Sequence, residues 1–200
     1  MSIRVSSTPV NFCGNQGCHG GALVSKGESA LGTKFRLGAL QIRQNNQQNF
    51  GSVMATENQT IINIQLPSGQ TMRSGNNSAT VTLNAGESYV FSSEDSSSPG
   101  YGIIGTLIES NKPIVVSCGS ATGSFAVGSS SGGQDYGIDQ IVGADKVGSE
   151  YIFVKGEGGD SWENILLISD QNNTTINVNG NPLTINGLSL IHISEPTRQW

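Results

Sequence analysis

The sequence has few charged residues, few aromatic residues and no long apolar segment. Charged side chains make up 12% of the 200 residues, and the formal net charge is −5. A chain with so little positive charge lacks the basic field that a nucleic-acid backbone requires, so we expect no nucleic-acid partner. No apolar run approaches the length of about 20 residues that a membrane-spanning helix needs. The first ten residues also lack the apolar centre of a signal peptide, so export would require a signal outside this sequence.

Helix-forming runs are missing as well, whereas glycine is abundant. The chain has 27 glycines and many Asn, Ser and Thr residues, a composition typical of short strands joined by tight turns. We therefore predict an all-β fold of antiparallel sheets built from repeated hairpins, either propeller-like or a sandwich and incomplete at the C-terminus. Segments rich in β-branched and aromatic residues predict strands at 37–42, 52–56, 60–66, 79–83, 87–91, 102–110, 113–119, 150–156, 164–169 and 174–180. Predicted turns begin near residues 67, 84, 96, 110 and 156.

An internal repeat supports this fold. VMATENQTIINI (53–64) aligns with LISDQNNTTINV (167–178) at a constant offset of 114 residues. Each copy has a strand, an Asx-rich turn and a second strand with alternating faces, which predicts a hairpin in each. VTLN (81–84) likewise matches LTIN (183–186), but no counterpart of the following AGESYV segment is present.

Three cysteines give a limited indication of chemistry. Cys13 and Cys18 flank the turn-forming segment GNQG, so a small-loop disulfide is our preferred interpretation, and it implies an oxidising compartment. Free thiols and the start of a zinc site with His19 are the alternatives, although no further Cys/His pair would complete the four ligands. Cys118 follows an apolar strand, and we expect it to be a small buried residue.

Two other patterns point to chemistry only weakly. GSSSG at 128–132 matches the motif G-x-S-x-G, but it lies in a Gly/Ser-rich run with no helix pattern after it, so we interpret Ser130 as part of a flexible loop. Acidic residues gather in two segments and could hold calcium through carboxylate and carbonyl oxygens, although such residues are also common in turns. The calcium candidates are Asp135, Asp139, Glu157 and Asp160. Otherwise we predict no cofactor and no catalytic residue.

Aromatic and amide side chains suggest binding surfaces. Four aromatic residues could form platforms for a sugar or a protein, although packing in the core is the interpretation we favour for them. They are Tyr101, Tyr136, Tyr151 and Trp162. The run RQNNQQNF (43–50) is rich in amides and predicts an exposed loop.

Several segments together resemble a known family. They include GALVSKGESALGTKFRLG (21–38), LNAGESYV (83–90), GTLIESNKPIVVSCGSATGS (105–124) and QDYGIDQIVGADKVGSEYIFVKGEGGDSWENILLI (134–168). They resemble the N-terminal region of IgGFc-binding-like proteins, and most closely large secreted proteins that end in a gliding-motility-associated C-terminal domain. The resemblance covers most of residues 20–186 and implies a β-rich extracellular or cell-surface module of a bacterial protein, not an enzyme. It supplies no active-site residues.

We therefore expect a non-catalytic adhesion or recognition module that displays loops such as 43–50 and 119–134 toward a glycan or a cell-surface protein. An accessory domain of an extracellular hydrolase or lyase, with catalytic carboxylates between Asp135 and Glu163, is the alternative. A structural spacer within a longer surface protein is a third hypothesis.

The two ends of the chain depart from the family pattern. Residues 1–20 match it poorly, residues 21–186 form the predicted β-repeat region, and residues 187–200 are predicted not to belong to it. The segment LSLIHISEPTR (188–198) is what a transposase sequencing adapter yields when translated in frame. We therefore expect the tail to be an artefact at the end of a fragment, and His192 to have no functional role.

Overall fold

A computed structural model describes residues 4–7, 21–42, 47–94, 100–124, 135–154, 164–186 and 190–194. These residues form two short 3-10 helices, Gly27–Ala30 and Ala144–Lys146, and otherwise strands and turns. The predicted all-β class is confirmed. The strands in chain order are β1 Arg4–Ser7, β2 Gly21–Val24, β3 Gly32–Arg36, β4 Asn49–Ala55, β5 Thr60–Gln65, β6 Ser78–Leu83, β7 Ser88–Ser92, β8 Leu107–Gly123, β9 Asp135–Ile141, β10 Asn164–Ile168, β11 Thr174–Val178, β12 Asn181–Ile185 and β13 Leu190–Ser194.

The chain divides into two compact units, and every described strand pair is antiparallel. The first unit comprises residues 1–124 and 133–147, and the second comprises residues 125–132 and 148–200. The first unit contains a seven-stranded sheet of β3 to β9 and a separate β1–β2 pair. The second unit contains two two-stranded sheets, β10–β13 and β11–β12.

β8 is the strand on which the sheet of the first unit is built. On one side it pairs with β5 through residues 107–110 and with β4 through residues 114–120. On the other side it pairs first with β3 and then with β9. Residues 111–113 are absent from these described registers, which suits Pro113 because proline has no N–H to give to a ladder. One strand of 17 residues therefore joins two halves of the sheet.

A single apolar core lies inside this sheet. β5 alternates strictly, with Ile62 and Ile64 buried and Ile61 exposed. The sheet is nearly closed around the core, because buried residues of five strands pack into one cluster. From these strands the cluster takes Phe35, Val53, Ile62, Ile64, Phe91, Ile108, Ile114, Val116 and Cys118.

Three strand predictions were wrong in part. Residues 37–40 lie outside any strand, and Gln41 and Ile42 make only isolated bridges. The turn predicted near residue 110 lies inside β8, where the ladder changes partners, so two predicted strands are one. Residues 150–154 form no strand, although their sequence is typical of one.

The predicted hairpins were also wrong. β4 and β5 follow each other along the chain but do not pair, because β8 lies between them in the sheet. β10 and β11 are likewise in different sheets. The alternation of apolar residues identified the strands, whereas the pairing partners depended on a strand far along the chain.

The same strand pairings occur twice in the chain. β4 pairs with β7 and β5 with β6, and in the same way β10 pairs with β13 and β11 with β12. The registers coincide as well. Thr60 lies opposite Leu83 in one copy, and Thr174 lies opposite Ile185 in the other. The internal repeat is thus a repeat of three-dimensional structure.

This correspondence extends toward the N-terminus. β2 begins at Gly21, and Gly137 occupies the equivalent position within β9. Each of these strands precedes one of the two 3-10 helices, and β2 pairs with β1 as β9 pairs with β8. We call residues 21–92 the first repeat and residues 137–194 the second repeat.

Both repeats contain the same tight turn. Gln59 and Asn173 adopt positive φ angles of 56° and 55°, and each precedes a threonine. The hydroxyls of Thr60 and Thr174 each donate to the carbonyl oxygen three residues earlier, at 2.8 Å. The N–H groups of residues 59 and 173 donate at 3.3 and 3.2 Å to two equivalent asparagine side chains, Asn84 and Asn186.

Candidate functional site

Most of the sequence-predicted site residues lie outside the described residues. These are Cys13, Cys18, His19, Ser130, Glu157, Asp160, Trp162 and Glu163. The disulfide, the calcium site and the carboxylate pair therefore stay predictions. His192 lies in β13 opposite Leu166.

Asp139 is the calcium candidate whose side chain the structure describes. Its two carboxylate oxygens lie 2.7 and 2.8 Å from Lys26 Nζ, which also donates to the carbonyl oxygen of Gln140. The backbone N–H of Lys26 donates to Gln140 Oε1 at 2.6 Å. Lys26 thereby fixes β9 to the segment that follows β2. Among the described side chains, no three potential metal ligands come together.

Cys118 is buried as predicted. Its side chain is 4% exposed within the core of the first unit. Desolvation by burial, with a further contribution from the charge of Asp139, raises the pKa of this thiol from 9.0 to about 12. A thiol with so high a pKa is not a nucleophile at neutral pH, so Cys118 is a packing residue.

The exposed loop predicted at 43–50 was wrong for its second half. Residues 43–46 lie outside the described part, but Asn49 begins β4 and is fully buried. Its Nδ2 donates to Leu40 O at 2.7 Å and to Ser120 Oγ at 3.1 Å. The side chain of Asn49 therefore links β4 to residue 40 and to β8. Of the predicted loop 119–134, residues 119–123 belong to β8.

The preference for packed positions of the aromatic residues was wrong for two of the three described tyrosines. Tyr151 is 61% exposed and Tyr101 is 36% exposed. Tyr136 is partly buried and stacks on Phe50, with ring centroids 6.4 Å apart. Tyr101 and Tyr151 are therefore among the large apolar side chains that face solvent.

An open sheet edge is the feature of the first unit best suited to binding. β7 is an end strand of the seven-stranded sheet. Ala55 N–H donates to Glu87 O at 3.0 Å, which makes this a hydrogen-bonded position of the β4–β7 pair. Because such positions alternate along an antiparallel ladder, Tyr89 and Phe91 also direct their backbone groups to β4. Val90 between them directs its N–H and C=O away from β4.

Part of this edge already carries a short pairing. Arg73 N–H donates to Ser92 O at 3.0 Å, and Met72 forms an isolated bridge with Ser93. Residues 71–73 thus cover the C-terminal end of β7. In the described part of the chain, nothing pairs with the outer edge at Ser88 and Val90.

A shallow groove lies where this pairing stops. It is open to solvent, has a volume of about 310 Å³, and lies between residues 72–74 and residues 89–92. Met72 and Phe91 are 2% and 4% exposed, whereas Val90 is 63% exposed. Tyr89 stacks on Phe91 with ring centroids 6.4 Å apart, and both residues line the groove. We call Met72–Ser74 with Tyr89–Ser92 the β7 groove.

Sequence reasoning missed the β7 groove. It identified residues 87–91 as a strand, but it gave no indication that this strand lies at an edge. The turn at 72–75 was also missed, although Gly75 with a φ of 84° marks it. Edge position depends on the order of strands in the sheet, which the alternation of apolar residues does not encode.

The outer edge of an antiparallel sheet can accept an extended peptide as a further strand. The chain matches the family model described as IgGFc binding protein over residues 20–197. Because this match covers most of the chain, the protein belongs to the IgGFc-binding protein family, a family of binding domains and not of enzymes. No curated protein and no solved structure matches the chain. Across the described residues, no helix has the length and apolar character to cross a membrane.

Proposed function

We propose that this chain is a non-catalytic extracellular recognition module that binds an extended segment of a protein partner at the β7 groove. The observation that carries this proposal is the outward-facing N–H and C=O of Val90, next to a groove with an aromatic wall. An extended peptide can add to such an edge as a further strand. Main-chain hydrogen bonds then supply affinity, and adjacent pockets supply specificity.

A protein partner has more support than a glycan. The edge offers a backbone donor and acceptor with the spacing of a β-ladder, which matches another polypeptide and not a sugar. Residues 71–73 already use the same edge in this way. The family name refers to a protein ligand, IgG Fc, and cell-surface adhesion through a protein is the role that we propose for this chain.

Proline scanning of the two sheet edges tests the proposal. Val90→Pro removes an N–H that faces away from β4 and leaves the β4–β7 ladder intact. Thr82→Pro is the matched control, because Thr82 has the same orientation on the opposite edge strand, β6. The immobilised chain is first used to select peptides from a random phage-displayed library. Calorimetry then measures the affinity of the selected peptides, and of IgG Fc as a second probe, for both variants.

We expect Val90→Pro to weaken binding of the selected peptides by about tenfold or more, and Thr82→Pro to change it by less than about twofold. Amide exchange at Val90 should slow in the complex. A library that yields no peptide, or peptides that bind Val90→Pro with unchanged affinity, would contradict the proposal. If IgG Fc binds, and Val90→Pro weakens that binding as much as it weakens binding of the selected peptides, the partner is an immunoglobulin-like protein.

A further inference from the structure

A short extra strand, residues 71–73, limits how far a partner strand can extend along β7. We call this segment the strap. Its bridge to the end of β7 is antiparallel, and Arg73 N–H donates to Ser92 O at 3.0 Å. Directly after this contact the strap turns away from β7, because Gly75 N–H donates back to Met72 O at 2.8 Å. A partner strand on the open edge therefore has to end beside Arg73.

One backbone donor has no described acceptor at the point where the strap meets β7. Ser93 N–H donates to Asn49 O at 2.9 Å, so residue 93 directs its backbone groups to β4 and residue 92 directs its groups to the outer edge. The strap uses only the carbonyl oxygen of Ser92. Among the described groups, nothing accepts a hydrogen bond from Ser92 N–H. Because Ser92 is half-buried, this N–H requires an acceptor from a bound molecule or from water.

The side chains around this N–H add positive charge and further donors. Of the described residues that line the β7 groove, only Arg73 is charged, and it is exposed. The hydroxyl groups of Ser74 and Ser92 line the same groove and can also donate. The nearby carboxylate of Glu94 accepts from Thr71 Oγ1 at 2.6 Å, at the end of the strap that is remote from the groove. The inner end of the open edge is thus suited to an anionic acceptor.

These donors determine which direction of a partner strand fits. In a strand that runs parallel to β7, the residue opposite Phe91 donates to Val90 O and accepts from Ser92 N–H. Such a strand runs toward Arg73, so a chain that ends there places its α-carboxylate among the donors. An antiparallel strand would bring its N-terminal end to the same donors. Its acceptor for Ser92 N–H would also need the position that Arg73 already occupies.

We propose that the β7 groove binds the C-terminal segment of its protein partner, as a strand parallel to β7 with the terminal α-carboxylate at Ser92 N–H and Arg73. This proposal rests on the proposed function of the same groove and specifies which part of the partner binds. A carboxylate only accepts hydrogen bonds, and its bonds to arginine and to backbone N–H groups are strong. Capture of a terminal carboxylate by backbone donors, beside a strand added to a sheet edge, is a known mode of peptide recognition.

The groove also selects the side chain of the last residue. A residue opposite Phe91 has its side chain on the same face of the sheet as Phe91. On that face the groove is lined by Tyr89 and Phe91 and by Met72, which is 2% exposed. The groove has a volume of about 310 Å³ and is open to solvent. We therefore expect the partner to end in an apolar residue, preceded by an uncharged residue beside Val90.

A phage library that displays random peptides with free C-termini supplies the probes. Each selected peptide is synthesised as the free acid, as the C-terminal amide and with a short Gly/Ser extension after its last residue. Calorimetry measures the affinity of the three forms for the intact 200-residue chain and for three variants. The variants are Val90→Pro, Arg73→Gln and, as the matched control, Arg36→Gln. Arg36 lies on β3, which is not adjacent to β7 in the sheet.

We expect the selected sequences to align at an apolar last residue. The free acid should bind about tenfold or more tightly than the amide or the extended form. Arg73→Gln should weaken binding of the free acid by about tenfold and change binding of the amide by less than about twofold, whereas Arg36→Gln should change neither by more than about twofold. Amide exchange at Ser92 should slow by about tenfold or more in the complex with the free acid.

The outcomes separate this proposal from the proposed function. If Val90→Pro leaves the affinity of every selected peptide unchanged, the peptides do not bind at the open edge and both proposals are wrong. If Val90→Pro weakens binding but the acid, amide and extended forms bind equally well, the partner binds through an internal segment and the C-terminal proposal alone is overturned. Equal effects of Arg73→Gln and Arg36→Gln on the free acid would overturn it as well.

Discussion

The first and second repeats have the same strand pairings and the same turns but differ in burial. Phe35 and Leu37 are fully buried in the first, whereas Tyr151 and Phe153 are exposed in the second. β5 alternates between buried and exposed residues, whereas β11 alternates between half-buried and exposed residues. Local pairing therefore does not require a complete core. The described strand that makes the difference is β8, which brings the strands of the first repeat into one sheet.

The largest expected contrast is between Phe35 and its counterpart. Phe35→Ala should lower the free energy of unfolding by about 3–5 kcal/mol, because it removes a fully buried ring and leaves a cavity. Tyr151→Ala should change it by less than about 0.5 kcal/mol, because that side chain already faces solvent. Urea unfolding followed by far-UV circular dichroism measures both values. Equal losses in the two variants would mean that the repeats do not differ in burial.

A second contrast depends on pH and involves only the first unit. In the unfolded chain the thiol of Cys118 has the usual pKa of 9.0, and in the folded chain burial raises this pKa to about 12. Between these values the unfolded state has released a proton that the folded state retains, so the free energy of unfolding falls as pH rises. At about pH 10.5 the expected loss is on the order of 2 kcal/mol.

The control for this titration is Cys118→Ala. This variant should be less stable at neutral pH but should lose the additional decline above about pH 9 that the thiol causes. Denaturant midpoints measured between about pH 8 and pH 11 give the two slopes. Parallel curves for the two proteins would show that Cys118 does not titrate with folding.

A smaller contrast concerns complementary side-chain sizes across one pair of strands. Gly51 lies opposite Phe91, and Ile165 lies opposite Ile193 at the equivalent position. A Cβ at Gly51 would approach Phe91 Cζ to 2.5 Å, so Gly51→Ala should destabilise by about 1–3 kcal/mol. Ile165→Val, in a half-buried position, should lose about 0.5 kcal/mol.

The double variant Gly51→Ala with Phe91→Leu sharpens this result. If the ring is the cause of the clash, the combined loss should be smaller than the sum of the two single losses. Thermal unfolding of the four proteins measures the coupling. Additive losses would place the strain of Gly51→Ala elsewhere in the sheet.

The smallest expected effects concern the shared turn. Gln59 and Asn173 adopt φ angles of 56° and 55°, in the left-handed region. This conformation costs glutamine more free energy than it costs asparagine, and it costs glycine least. Gln59→Gly should therefore stabilise the chain by on the order of 0.5 kcal/mol, and Asn173→Gly by less. Differential scanning calorimetry is sensitive enough for the comparison. A larger gain at residue 173 would contradict it.

The sequence predicted the class of the fold well, because strand alternation and turn residues are local properties. The segments 60–66, 79–83 and 174–180 each contain a strand of the structure. The family resemblance is confirmed over residues 20–197. The hairpins were wrong because a strand from residues 107–123 inserts between neighbours in sequence. The first half of the repeat was missed because only its 3-10 helices and pairings, not its residue identities, make the correspondence clear.

The candidate site was much less predictable. The amide-rich run was predicted to be an exposed loop, but the side chain of Asn49 forms hydrogen bonds with Leu40 and Ser120 in the interior. Val90 was identified as a strand residue but not as an edge residue. Whether a polar side chain bonds to the protein or to solvent depends on which segments meet around it. That information was not contained in the residue itself.

The sequence alone indicated strands β4 to β8, β10 and β11 and the repeat with an offset of 114 residues, since these depend on residue types a few positions apart. Only the tertiary structure decided how the strands of the first repeat pair and which of the described residues are buried. The physical reason is that burial requires a neighbouring element, and in the first repeat that element is β8. β8 comes later in the chain than β3, β4 and β5, with which it pairs. Residues 151–154 show the limit of a sequence-based prediction, because their composition is typical of a strand but they form none and are exposed.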